Sequence, residues 1–90
     1  MSGKKFDIDD LKRILIEGSG EPDGPGISAD RLDDEFDLIG YDSLALLETT
    51  GRVEREYDVR LDETRLAEMK TPRDLIAFVN QHMTQAAPSA

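Results

Sequence analysis

The sequence predicts an all-α fold: a four-helix bundle with one short helix and a long first loop. Three observations predict it. Apolar residues recur every three to four positions in three separate segments, the mark of amphipathic helices. Cap and breaker residues bound those segments. A stretch dense in glycine and proline separates the first segment from the second, so that connection is a loop.

The first helix is expected from about Asp7 to Glu17. Ile8, Leu11 and Leu15 share a face, with Ile14 beside them; Asp7 caps the start and Gly18 ends it. The second runs from Ser43 to Tyr57, where Leu46, Thr50, Val53 and Tyr57 form one stripe and Asp58 is the exit. The third is short, Glu63 to Glu68, capped by Asp62. The fourth runs from Pro72 to Met83. Thr71 caps it, Pro72 takes the first helical position and Asp74 completes the capping pattern. Leu75, Ile76, Val79 and Met83 make its buried stripe, and His82 is expected at the surface in its last turn.

The loop between the first two helices spans residues 18–42 and is unusually long. Its first half, Gly18 to Gly26, is too rich in glycine and proline for regular structure. Its second half carries Ile27, Leu32, Phe36, Leu38 and Ile39, enough apolar surface to pin it to the bundle, with a turn of helix expected near Ala29 to Asp33. The acidic run Asp30, Asp33, Asp34, Glu35, Asp37 does not have calcium-loop spacing. A loop starting at Asp33 would need glycine and glutamate where Leu38 and Leu44 stand. It reads as a solvated acidic segment.

Ninety residues make one small domain, with an ordered core from about 6 to 84 and a flexible tail over 85–90. There is no cysteine, which removes disulfides and thiolate chemistry and fits a reducing cytoplasm. A single histidine cannot build a multi-histidine metal site. No apolar run approaches the roughly 20 residues needed to span a bilayer, and no signal-peptide core follows Lys4 and Lys5. Twenty acidic against 11 basic residues give a formal net charge of −9. Such a chain repels nucleic acid and anionic membranes and favours basic protein partners.

Ser43 stands at the junction of the long loop and the second helix, with Gly40 permitting the turn into it. A helix start offers unpaired N–H groups and partial positive charge, which suit a phosphodiester. A bare Asp42-Ser43 pair is also an ordinary helix cap. A catalytic serine is excluded: Tyr41 and Ala45 stand where a nucleophile elbow needs its surroundings, with no glycine two residues after the serine, and the one available base, His82, sits on another helix.

The run Gly40-Tyr41-Asp42-Ser43-Leu44-Ala45-Leu46-Leu47-Glu48 resembles the D-S-L motif of acyl carrier proteins, in the form found in type II aromatic polyketide synthases of actinomycetes. Glu54-Arg55-Glu56-Tyr57-Asp58-Val59 is similar to the end of that family's second helix, and Thr71-Pro72-Arg73-Asp74-Leu75 to the start of its fourth. The resemblance extends from the first helix to Met83.

The resemblance implies a monomeric carrier rather than an enzyme. A phosphopantetheinyl transferase would attach 4'-phosphopantetheine from coenzyme A to Ser43, and the arm would hold malonyl units and growing polyketide intermediates as thioesters. The implied partners are that transferase, a ketosynthase/chain-length factor, a malonyl transferase, and tailoring enzymes such as a reductase and a cyclase. Asp42, Leu44, Leu47 and Glu48 would meet them, although core packing is the competing reading for the two leucines. Arg52 and Arg55 depart from a uniformly acidic second helix. Thr49, Thr50 and Gly51 are poor helix fillers, and Gly51 costs about 0.8–1.0 kcal/mol against alanine. Gly51 either lets a neighbouring helix approach or keeps space in a cargo cleft lined by Thr50. A carrier of fatty-acid or peptide synthesis, or a non-covalent helical adaptor, remains as the alternative function.

Overall fold

The computed structural model describes residues 5–22 and 24–86, with side chains to residue 83. The described residues form helices and turns without strands. Helix α1 is Ile8–Ser19, α2 is Phe36–Ile39, α3 is Ser43–Tyr57 and α4 is Pro72–Ala86; short 3-10 segments lie at Ala29–Arg31 and Glu63–Glu68. α1 packs against α3 and α4, and the second 3-10 segment packs against α3.

The caps explain the helix starts. Asp7 and Asp10 form a reciprocal capping box at α1. Asp62 accepts from the Thr64 amide at 3.1 Å, and Thr71 accepts from the Asp74 amide at 3.2 Å. α1 runs past its expected stop. Gly18 is helical, and the turn comes at Gly20, which takes φ +82° and donates its N–H to the Ile16 carbonyl. Gly18 has another use. A Cβ there would fall 2.8 Å from Arg52 Nε, so the glycine makes room for an α3 arginine across the last turn of α1. That turn has no basic residue of its own, and Arg52 brings a cation towards its negative dipole end.

The core joins Leu11, Ile14 and Leu15 of α1 to Leu46 and Val53 of α3 and to Leu75, Phe78 and Val79 of α4. Ile76 and Met83, expected on the buried stripe of α4, are half-buried at its edge, and Phe78 takes an inward position instead. His82 is a correction. It is half-buried, with its ring tilted against Phe78 at 4.4 Å between centroids and Nδ1 2.9 Å from the Phe78 carbonyl oxygen. One turn separates the two residues, and α4 continues to Ala86, so His82 is not at the helix end. No glycine or proline interrupts the sequence between Pro72 and Pro88, which is why the helix passes Met83. The expected flexible tail therefore begins inside α4, and residues 87–90 lie outside the described residues.

The N-terminal segment is anchored by a reciprocal pair: the Phe6 amide donates to Asn80 Oδ1 at 2.9 Å, and Asn80 Nδ2 donates to the Phe6 carbonyl at 2.8 Å. The long loop is pinned more heavily. The Phe36 amide donates to the Lys70 carbonyl at 2.9 Å and the Arg73 amide to the Leu32 carbonyl at 3.0 Å. Arg73 also grips Asp33 in bidentate fashion, Nε–Oδ1 2.7 Å and Nη2–Oδ2 3.2 Å. Asp34 pairs with Arg31 at 3.1 Å. Two members of the acidic run thus serve as arginine partners. These ties hold the second half of the loop against the start of α4, beside the serine it leads to.

Candidate functional site

The backbone makes a tight double turn before Ser43. α2 ends at Gly40, which takes φ +113°, and the amides of Gly40 and Tyr41 both donate to the Phe36 carbonyl, at 2.9 and 3.0 Å. Only glycine adopts that φ without strain. Asp42 then runs extended and becomes the N-cap of α3, its carboxylate accepting from the Ala45 amide at 3.0 Å.

This division of labour resolves the cap question. Asp42 is the cap and Ser43 is the first helical residue. The Ser43 side chain is exposed, and its hydroxyl makes no hydrogen bond to any described residue. The amides of Ser43 and Leu44 likewise have no partner among the described residues, as expected in a first helical turn. A phosphodiester on this hydroxyl would meet two open N–H donors and the positive end of α3. The residues present therefore fit a phosphopantetheine attached at Ser43.

Two depressions lie near the serine, and Ser43 lines one of them. One, of about 370 Å³, lies on the α1 side and is lined by Ser19, Glu21, Asp37, Gly40, Tyr41, Asp42 and Ala45. The other, of about 120 Å³, lies between α2, the start of α3 and the second 3-10 segment; Ser43, Leu46, Leu66, Ala67 and Met69 are among its lining residues. Tyr41 contributes to both. Its side chain is 5% exposed, and its hydroxyl donates to the Gly20 carbonyl at 3.2 Å. Burial, with a smaller contribution from Glu21, pushes the phenol pKa up.

Leu44 and Leu47 face outward, 65% and 43% exposed, which answers the core-packing reading for both. Asp42 and Glu48 are exposed beside them. Leu38 of α2, expected to help pin the loop to the bundle, is instead 70% exposed. Its neighbour Ile39 is buried, and adjacent residues on a helix cannot share a face. That opposition could have marked Leu38 as outward, had the four-residue helix been recognised.

Thr50 is 1% exposed, and its hydroxyl donates to the Leu47 carbonyl at 2.8 Å. Gly51 is half-buried, and a Cβ there would meet only Arg55 Nη1, at 3.9 Å. Close helix approach is therefore not why Gly51 is a glycine. Neither depression beside Ser43 is lined by Thr50 or Gly51.

A family model described as the phosphopantetheine attachment site matches residues 25–79, from the loop through Ser43 and α3 into α4. The monensin polyketide synthase acyl carrier protein of Streptomyces virginiae is 46% identical over 86 residues, covering 96% of this chain and 97% of that protein. The actinorhodin polyketide synthase acyl carrier protein of Streptomyces coelicolor is 46% identical over 79 residues, covering 88% and 92%. A solution structure of the actinorhodin carrier bearing a 3-oxo-butyl intermediate mimic superposes with a TM-score of 0.82 at 42% identity, covering 96% of this chain and all of that one. The chain belongs to the acyl carrier proteins of type II polyketide synthases, the family that bears covalent 4'-phosphopantetheine. It is a carrier subunit rather than a catalyst, and its role entails contact with synthase enzymes and with a phosphopantetheinyl transferase. Among the described residues, no helix is long and apolar enough to cross a membrane.

Proposed function

We propose that Ser43 is the attachment residue and that this chain, as one carrier domain, presents malonyl units and polyketide intermediates to type II synthase enzymes. The observation that carries the reading is the exposed, unengaged Ser43 hydroxyl beside a cap supplied by Asp42. A nucleophile activated by its own protein would need a base within reach. A hydroxyl activated by a visiting transferase needs access, and access is what this position has. The arm, when bound, supplies a thiol that holds acyl groups as thioesters.

The chain's own residues orient that attachment. Asp42 holds the first turn of α3, so Ser43 projects from a rigid element. Leu44 and Leu47 offer apolar contact to a visitor, and Asp42 and Glu48 offer charge, a combination suited to a basic, partly apolar docking surface. The visitors we infer are the transferase, the ketosynthase/chain-length factor, the malonyl transferase and the tailoring reductase and cyclase, in the cytoplasm where coenzyme A is at hand. The chain acts as a monomer with an ordered core over residues 6–84.

The cargo has two candidate shelters. The depression lined by Leu46, Leu66, Ala67 and Met69 adjoins Ser43 directly. The second is the cleft expected at Thr50 and Gly51, further along α3, where loading would have to open space beside the buried Thr50. The mimic carried by the actinorhodin neighbour makes a short polyketide the cargo to test in both.

The test is direct. The purified chain, coenzyme A, Mg²⁺ and a broad-specificity transferase should yield a protein heavier by one arm, and Ser43→Ala should yield none. A wild-type chain that gains no mass would return the adaptor reading to the front.

A further inference from the structure

We propose that Tyr41 is a positioning residue for arm transfer: its hydroxyl clasps the turn carrying Ser43 to the end of α1. The inference rests on the attachment of the arm at Ser43 proposed above.

Tyr41 is held at three points. Its amide donates to the Phe36 carbonyl, its ring is buried in the core, and its hydroxyl donates to the Gly20 carbonyl. Gly20 is itself fixed, since its positive φ and its bond to the Ile16 carbonyl close α1. The phenol therefore joins two chain positions 21 residues apart and closes the whole acidic loop on itself. A second tie runs parallel inside that loop, where the Gly26 amide donates to the Ile39 carbonyl at 3.2 Å. At Gly24 the backbone approaches so closely that a Cβ would fall 2.5 Å from the same Ile39 oxygen. The start and end of the loop are thus zipped together.

Asp42 alone separates this clasp from Ser43. The serine is located from one side by the Asp42 cap on Ala45 and from the other by Tyr41. Tyr41 also lines both depressions near the serine, one of which Ser43 itself lines. The phenol is buried, and its bond to the Gly20 carbonyl uses its one O–H donor. Aromatic bulk at this position would be met equally by phenylalanine. The hydroxyl is what phenylalanine lacks.

A group that only fills the core changes stability. A group that holds a reacting serine in place changes the rate at which a bound transferase uses it. Tyr41→Phe keeps the ring and removes the bond. It touches none of Asp42, Leu44, Leu47 or Glu48, so the KM of the chain for a broad-specificity transferase should stay within about twofold, whereas kcat and the single-turnover rate at saturating transferase should fall about three- to tenfold, the loss expected for one hydrogen bond. Amide hydrogen exchange should quicken in the same variant at Tyr41 and Ala45, whose amides are bonded to the Phe36 carbonyl and the Asp42 carboxylate. Wild-type chain run alongside separates the two readings. If the wild type gains no arm, the attachment proposal fails. If it gains the arm and Tyr41→Phe matches its single-turnover rate, the clasp has no positioning role, whatever the melting temperature does. Tyr41→Leu provides the second variant: were ring packing the cause, it would lower stability sharply while Tyr41→Phe left the rate unchanged, and that pattern overturns the proposal.

Discussion

The carboxylate of Asp42 accepts the Ala45 amide at 3.0 Å, and in doing so it relieves Ser43 of any capping duty. Two neighbouring residues that look interchangeable as caps have separate tasks. Ser43→Ala should therefore change stability by no more than about 0.5 kcal/mol, as for other exposed positions, while abolishing arm transfer. Asp42→Ala should cost about 1 kcal/mol by loss of the cap. Chemical denaturation of both variants checks the asymmetry, and equal losses would contradict it.

Docking should depend on charge and on exposed leucine together. Glu48→Lys should weaken binding to the transferase or ketosynthase, and wild-type binding should weaken as salt rises, since exposed charges are screened beyond about 10 Å at 0.1 M ionic strength. Leu47→Ala should weaken docking too. With 43% of that leucine exposed, its stability cost should be about 1 kcal/mol or less. A titration of binding against salt and a denaturation curve for Leu47→Ala measure these separately.

Gly51→Ala should stabilise the chain. The added methyl meets no neighbour closer than Arg55 Nη1 at 3.9 Å, so the helix-propensity gain of about 0.8–1.0 kcal/mol should be realised. Loading the arm with a short β-ketoacyl mimic and following NMR shifts then tests the cargo shelters. Shifts at Leu46, Leu66 and Met69 support the depression beside Ser43, whereas shifts at Thr49 and Thr50 that shrink in Gly51→Ala support the cleft further along α3.

The Asp33–Arg73 pair should show in an acid titration. Hydrogen bonding to the Arg73 guanidinium, with its nearby positive charge, holds the Asp33 carboxyl below the usual carboxylate range. A folded-state pKa lower than the unfolded one means that the pair's contribution is present above the unfolded value and is lost as pH falls through the folded one. NMR titration of the Asp33 carboxyl carbon should give a midpoint below that of an unpaired aspartate, and Arg73→Gln should return it to the ordinary range. Both side chains are mostly exposed, so the effect should be a local release of the loop from α4 rather than global unfolding.

Most of the bundle was legible in the residue order because local rules decide it. The starts of all three long helices follow from Asp7, Asp42 and the Thr71-Pro72 pair, each acting within one turn, and the Asp-Ser-Leu run marks the proposed attachment position before any coordinate is known. The tertiary structure decided what local rules leave open. α2 is too short for periodicity to declare itself. Leu44 and Leu47 sit at positions where burial depends on whether a neighbouring helix comes alongside, and none does. His82 is drawn inward by Phe78, one turn away. Arg52 has a place only because Gly18 of another helix leaves room for it, and Arg73 finds Asp33 across a separation of 40 residues. The Tyr41 hydroxyl reaches Gly20 only after the loop has closed. The leucine exposures and the Arg52, Arg73 and Tyr41 contacts depend on which distant segments meet, and chain-local energetics carry no information about that until the core has formed.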